Sequence, residues 1–155
     1  MTIPSDAFRL LDKTGRQILH LLQEDARMPF AEIGRRVGLS APSVADRIRR
    51  MEEAGIIEGY HAAVNPEKVG LPVTAYIEFT SRDGRMEQVE QFLKDHPLVS
   101  EYYCISGETD ILIRASFAQI DDLRPFLEPL EQHGRAVTLV VLATYRGWRS
   151  VNVVG

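Results

Sequence analysis

The chain has 155 residues, of which 45% are apolar and 26% charged, and a formal net charge of −4. That length fits one ordinary domain or two small ones with modest cores, and the composition is that of a soluble globular protein rather than a disordered or fibrous one. The longest apolar run, Val137 to Tyr145, is too short for a bilayer span and residues 1–9 hold no apolar signal core, so a cytoplasmic protein is expected.

The single cysteine, Cys104, excludes an intramolecular disulfide and a cysteine-based zinc cluster. No metal or cofactor is expected, and Cys104 itself is expected in a buried strand. Net acidity alone argues against nucleic acid, because phosphate binding needs a cationic face. The distribution reverses that argument. Through Tyr60 nine Lys/Arg balance nine Asp/Glu, whereas beyond it nine bases meet thirteen acids. Between Arg27 and Arg50 six arginines stand against only Glu32 and Asp46.

In chain order, Leu10, Leu11, Ile18, Leu19 and Leu22 recur at helical spacing and predict an amphipathic helix over 10–23, weakened by Gly15. Phe30, Ile33 and Val37 predict a short second helix that Gly38 stops. Ser40 stands where an N-cap is wanted and Pro42 in the first turn. Ala41, Val44, Ile48 and Met51 mark one apolar stripe, predicting a third helix over Ala41 to Glu53. Residues 56–64 are β-prone and read as a connecting strand, and Asn65 to Leu71 as a linker. Alternation over Val73 to Phe79 predicts a strand, and Met86 to Leu93 a helix. Val99–Ser106 and Ile111–Phe117 predict a hairpin around Gly107–Asp110. Ile120 to Leu130 predicts a second helix, and Val137–Tyr145 a last strand.

The expected fold is therefore α+β. A three-helix, winged-helix-like helix-turn-helix domain occupies 1–60, a connecting strand and linker 61–72, and a ferredoxin-like βαββαβ domain 73–155. The second domain should hold a four-stranded antiparallel sheet with both helices on one face. Its other face needs a cover, which a second subunit can supply.

On a helical wheel with Val44 at zero, Ala41, Ile48 and Met51 fall within about 60° of it. Pro42, Ser43, Asp46, Arg49 and Arg50 lie opposite, at roughly 140° to 260°, with Arg47 on the flank. A major groove admits one helix, and Arg pairs bidentately with guanine edges. An arginine-rich face on a lone helix is more often just solvated. Here a short helix, the Gly38-Leu39-Ser40 turn and a second helix striped toward the first make the pattern of a DNA reader. Ser40, Pro42, Ser43, Asp46, Arg47, Arg49 and Arg50 are the expected groove contacts. Arg27, Arg35 and Arg36 are expected phosphate contacts, although each can equally pair with nearby acids.

Leu11-Asp12, Ile18-Leu19, Leu22 through Arg27, Val37-Gly38-Leu39-Ser40, Arg47-Ile48, and Gly55 through Tyr60 with Ala62 resemble the N-terminal signature of the leucine-responsive/asparagine regulator (Lrp/AsnC) family. Gly107 to Asp110 resembles that family's Gly-x-x-Asp element. The resemblance covers nearly the whole chain, departing from the family at Gly15, where an aspartate is usual, and over Arg146 to Ser150, which match no pattern. It implies a transcriptional regulator that binds double-stranded DNA as a homodimer, often assembled into octamers, and that responds to an amino-acid effector. Gly107 and Asp110 carry over as effector contacts, and Ser106, Thr109 and Thr138 more loosely. A glycine turn offers backbone amides to a carboxylate, and Asp110 a partner for an ammonium group. Equally, Asp110 can cap the backbone of its own turn.

No nucleophile elbow, phosphate loop, His-Glu-x-x-His or dinucleotide motif is present, and no enzyme is expected. His20, His61, His96 and His133 are isolated and read as structural or exposed. Two rivals share the architecture: an effector-sensing protein without DNA binding, against which the complete first sixty residues speak, and a siroheme-decarboxylase-like enzyme, which should have a damaged recognition helix.

Overall fold

Asp12 decides where the first helix begins. Its Oδ1 accepts from the Gly15 amide at 2.7 Å, capping α1 (Lys13–Glu24). Arg9 and Leu10 are helical too, but the chain turns at Leu11 and Asp12, so the expected helix is interrupted there and restarts at Lys13, where the Asp12 carboxylate takes up a first-turn amide. Next, α2 (Phe30–Val37) ends at Gly38, whose φ of 73° lies in the left-handed region open to glycine. α3 (Ala41–Glu53) begins at Ser40, which accepts from Ser43 N at 3.3 Å, and has the expected bounds. Ile18, Leu22, Ile33, Val44 and Ile48 are buried together, with Leu21, Met28, Val37, Leu39 and Ile57 packed around them.

The structure, a computed structural model, describes residues 9–82, 84, 86–145 and 151. Among these, residues 9–62 with Val151 make one compact unit and the described residues of 63–146 another. Val151 is held by one side chain: its amide donates to Gln23 Oε1 at 2.7 Å, and its carbonyl accepts from Gln23 Nε2 at 3.2 Å. The Arg146–Ser150 segment lies outside the described residues.

The connecting strand expected over 56–64 is not a strand. The backbone of residues 58–64 makes no hydrogen bond to the backbone of another described residue, and every side chain from Glu58 to Val64 is exposed. β propensity supplies no ladder without a neighbouring strand. The expected linker is more ordered than its composition suggested. Asn65 Oδ1 accepts from Glu67 N at 3.0 Å, starting a 3₁₀ turn over Pro66–Val69 that ends at Gly70.

The second unit follows the expected βαββαβ order: β1 (Val73–Ser81), α4 (Met86–Lys94), β2 (Val99–Cys104), β3 (Ile111–Phe117), α5 (Leu123–Glu131) and β4 (Gly134–Val140). The sheet order is β2-β3-β1-β4 and every pairing is antiparallel. Ala75, Ile77 and Phe79 of β1 and Ile111, Ile113, Ala115 and Phe117 of β3 point to one face. There they bury Val89 and Leu93 of α4 and Leu123, Phe126 and Leu130 of α5. At ~25 cal/mol per Å² of apolar surface removed from water, this shared layer is the main source of the unit's stability.

Two expectations change here. The last strand occupies 134–140, not 137–145. It begins where a Cβ at Gly134 would run into the Thr80 carbonyl and come within 2.6 Å of the Phe79 ring, so only glycine allows so close a start. It stops because β1, its partner, begins at Val73; Val141 N makes a last bond to Thr74 O at 2.9 Å. Cys104 does end a strand, but β2 is an edge strand and the thiol is exposed.

His96 closes the aromatic end of this core, 4.9 Å from the Phe92 ring and 4.8 Å from that of Phe126, edge-on to the latter. Its Nδ1 accepts from Leu98 N at 3.3 Å, which leaves the proton of the neutral ring on Nε2. Asp122 lines the same shallow hollow. Burial pushes the His96 pKa below the ordinary histidine value. As pH falls, the unfolded chain therefore takes up this proton first, and the stability held above about pH 6.5 drains away below it. The thermal midpoint should fall between about pH 6.5 and 5 in the native protein and less steeply in His96→Gln, measured by calorimetry. Equal slopes would contradict this.

Candidate nucleic-acid interface

Burial of Val44, Ile48 and Met51, which are 0%, 2% and 0% exposed, turns the opposite side of α3 outward. Pro42, Ser43, Asp46, Arg49 and Arg50 are all exposed, as the wheel predicts, and Arg47 is half-buried on the flank. Ser40 and Ser43 share a hydrogen bond between hydroxyls at 2.8 Å, so the start of α3 presents two small polar side chains and a proline. Such a start lets a helix backbone approach a groove floor closely.

The arginines are less free than the charge count implies. Arg49 donates to Asp46 Oδ1 at 2.7 Å and to Glu53 Oε1 at 2.6 Å, whereas Arg50 stands 3.9 Å from the other Asp46 oxygen. Arg47 turns away from this face and donates through both terminal nitrogens to Asp12, each at 2.9 Å. On α2, Glu32 holds two arginines. Arg35 grips both its oxygens at 2.9 and 2.8 Å, and Arg36 donates to Oε1 at 2.7 Å. Those bonds, Arg35's first, hold the Glu32 carboxyl down to about 2. Arg27 is exposed, and its backbone amide donates to Asp25 Oδ1 at 2.9 Å in the turn after α1.

Glu32 is one of the two acids that the sequence sets against these arginines, whereas the partner roles of Asp12 and Glu53 were not anticipated. The Glu32 pairs at i+3 and i+4, and the Arg49–Glu53 pair at i+4, are legible from spacing. The Asp12 partner of Arg47 is 35 residues away and is not. These surface pairs are individually weak in water. A phosphate can therefore compete for Arg35, Arg36 and Arg49 at small cost.

In the second unit, the turn between β2 and β3 is stitched to the end of β1. Asp110 Oδ2 accepts from Ser81 N at 2.7 Å, Asp110 N donates to Phe79 O at 3.0 Å, and Thr80 Oγ1 donates to Glu108 O at 3.0 Å. Asp110 thus caps a neighbouring strand's amide. Gly107 has a φ of 128°, while Ser106 and Gly107 are exposed and Thr109 half-buried. Ser81, which the sequence did not point to, sits beside this turn with its hydroxyl buried and no hydrogen-bond partner among the described residues. Thr138 lies apart. It pairs with Ile77, two residues (about 7 Å) along β1 from Phe79, and shares Ile77's helix-covered face.

A helix-turn-helix with an arginine-bearing outer face, followed by a ferredoxin-like unit, defines a two-domain DNA-binding regulator. The AsnC-type helix-turn-helix domain matches residues 11–52, and the Lrp/AsnC ligand binding domain residues 74–149. The chain belongs to the Lrp/AsnC family of transcriptional regulators. It is 41% identical over 121 residues to the proline dehydrogenase transcriptional activator of Rhodobacter capsulatus, spanning 76% of this chain and 79% of that one. It is 29% identical over 133 residues to the regulator LrpC of Bacillus subtilis, spanning 86% and 92%. A Neisseria meningitidis transcriptional regulator, solved as its L-Met complex, superposes with a TM-score of 0.83 at 32% identity, covering 90% of this chain and 95% of that one. Escherichia coli AsnC superposes at 0.79 with 27% identity, covering 91% and 97%. The relatives are regulators and not enzymes, so neither the enzymatic reading nor the sensing-only reading has support. No helix among the described residues is long and apolar enough to cross a membrane.

Because Glu32 neutralises two arginines at once, Glu32→Gln should raise non-specific DNA affinity and steepen the dependence of log K on log salt by about one unit. Fluorescence anisotropy with a mixed-sequence duplex measures it. An unchanged slope would mean that Arg35 and Arg36 do not approach phosphate.

Proposed function

We propose that this regulator reads palindromic DNA as a homodimer. The outer face of α3 lies in the major groove, and affinity or assembly responds to a free amino acid. The observation that carries the reading is the sidedness of α3: Val44, Ile48 and Met51 are buried, while Ser43, Asp46, Arg49 and Arg50 face solvent together. Ser40 and Pro42 set the helix start at the groove, Arg49 and Arg50 take guanine edges or phosphate, and Arg27, Arg35 and Arg36 take phosphates on either side. A protein with this task works where the DNA is, in the cytoplasm.

The uncovered sheet face supports the homodimer. Tyr76 of β1 and Leu139 of β4 pair across it, 37% and 49% exposed, with Tyr103 of β2 at 53%. Arg114 and Glu101 bond at 2.8 Å on the same face, and Tyr103 donates to Glu101 at 2.9 Å. A largely apolar face around this network, in which Arg114 Nε is buried without a partner among the described residues, suits a second copy of itself, since a twofold interface sets the same patch on both sides. Dimers built in this way are proposed to assemble further into octamers.

For the effector, the turn around Gly107 and Asp110 supplies exposed backbone beside a carboxylate, with Ser106, Thr109 and Ser81 adjacent and Thr138 farther along β4. The L-Met complex of the Neisseria relative supports an amino acid as the class. Asp110 also holds Ser81 N, so the informative variant is Asp110→Asn, which keeps an acceptor and removes the charge.

One experiment tests the reading. Anisotropy titrations with a duplex selected by the native protein from a random-sequence pool should show specific binding that Arg50→Ala weakens by about 1 to 3 kcal/mol. Adding the responsive member of a twenty-amino-acid panel should shift that binding in the native protein and not in Asp110→Asn. Full affinity in Arg50→Ala would sink the groove assignment, and an intact shift in Asp110→Asn would place the effector elsewhere.

A further inference from the structure

Arg47 belongs to the recognition helix by sequence and is the residue a charge count would send into the groove. Its side chain goes elsewhere. Both terminal nitrogens meet the two oxygens of Asp12 at 2.9 Å, the fork-on-carboxylate geometry that fixes orientation as well as distance. The same Asp12 carboxylate accepts from Gly15 N at 2.7 Å and so caps α1. One acid therefore joins the start of the first helix to the flank of the reading helix.

The backbone is brought close enough for this by Gly15. A Cβ there would collide with the Leu10 carbonyl and come within 2.9 Å of Met51 Cε on α3. Gly15 and Met51 are both buried. Apolar packing alone leaves α3 free to roll about its own axis, because Val44, Ile48 and Met51 form a stripe that a small rotation still buries. A bidentate bond at the flank, midway along the helix, opposes that roll, and roll is what decides where Ser43, Arg49 and Arg50 point.

We propose that Asp12 and Arg47 are positioning residues: their ion pair sets the roll of α3 and so aims its outer face at DNA, without Arg47 touching the DNA itself. This rests on the reading that α3 enters the groove. The Arg47 guanidinium, followed by the Gly15 amide, holds the Asp12 carboxyl below its ordinary pKa, so the pair is intact across the neutral range. Asp12 and Arg47 are 45% and 29% exposed at the side chain, so the pair is partly screened and its effect is modest.

The test uses Asp12→Ser, which keeps the N-cap but is too short to reach Arg47, together with Arg47→Ala and the double variant. All are measured as full chains well below their melting temperatures, with Arg50→Ala for reference. The pair predicts that each single variant loses about three- to fivefold in specific affinity. The double variant should lose no more than either single one, and the salt slope should stay at the native value. Arg50→Ala, by contrast, should lower that slope by about one if it meets phosphate. If Arg47→Ala weakens binding and lowers the slope while Asp12→Ser binds as well as the native protein or better, Arg47 is a DNA contact and the proposal is wrong. If the variants melt earlier but bind with native affinity, the pair only stabilises the fold and the proposal is equally wrong. Should Arg50→Ala also bind normally, the fault lies with the groove assignment rather than with this pair.

Discussion

The stripe Val44–Ile48–Met51 must be buried, and most of what the first unit does follows from that. Against it lie Ile18 and Leu22 of α1 and Ile33 of α2, a core of few side chains in which no member is spare. A core this small fixes which side of α3 is hidden, and by exclusion which side is shown. Caps then fix where each helix begins: Asp12 for α1, Ser40 for α3, with Gly38 turning the chain between α2 and α3. Recognition is thus prepared by packing and capping, while Arg49 on the outer face is held by weak exchangeable pairs with Asp46 and Glu53, and Arg35 and Arg36 of α2 by such pairs with Glu32.

The second unit repeats the logic with a sheet. One face is closed by α4 and α5 around Phe79, Phe117 and Phe126, and the other is left with Tyr76, Tyr103 and Leu139 exposed. Asp110 does two things in this unit. It locks the β2–β3 turn to the end of β1 through Ser81 N, and it leaves a carboxylate beside exposed turn backbone. On the proposed effector role, a ligand competing for that carboxylate would act on a bond that ties the β2–β3 turn to the end of β1.

Local signals were the readable ones. α3 was bounded correctly because Ser40, Pro42 and the apolar stripe are all within the segment itself, and the βαββαβ order followed from alternation in β1 and β3. The misplacements share a cause, namely a partner distant in sequence. Residues 56–64 carry strand chemistry but have no paired neighbour. β4 runs three residues earlier than its apolar run because Gly134 can approach Thr80 and Phe79, and because β1 ends the ladder at its own first residues. Cys104 looked buried by residue type and is exposed because β2 is an edge. At the site, the outer face of α3 was legible from the wheel, and so was the flank position of Arg47. That Arg47 is occupied by Asp12 was not legible, since nothing local links residues 35 apart.

Contact between the outer face of α3 and DNA is tested most directly by site-specific photocrosslinking. With benzoylphenylalanine placed in turn at Ser43, at Arg50 and at the exposed His20 of α1, crosslinks to a specific duplex are expected from the first two and none from the third. Crosslinks from His20 with none from Ser43 or Arg50 would contradict it.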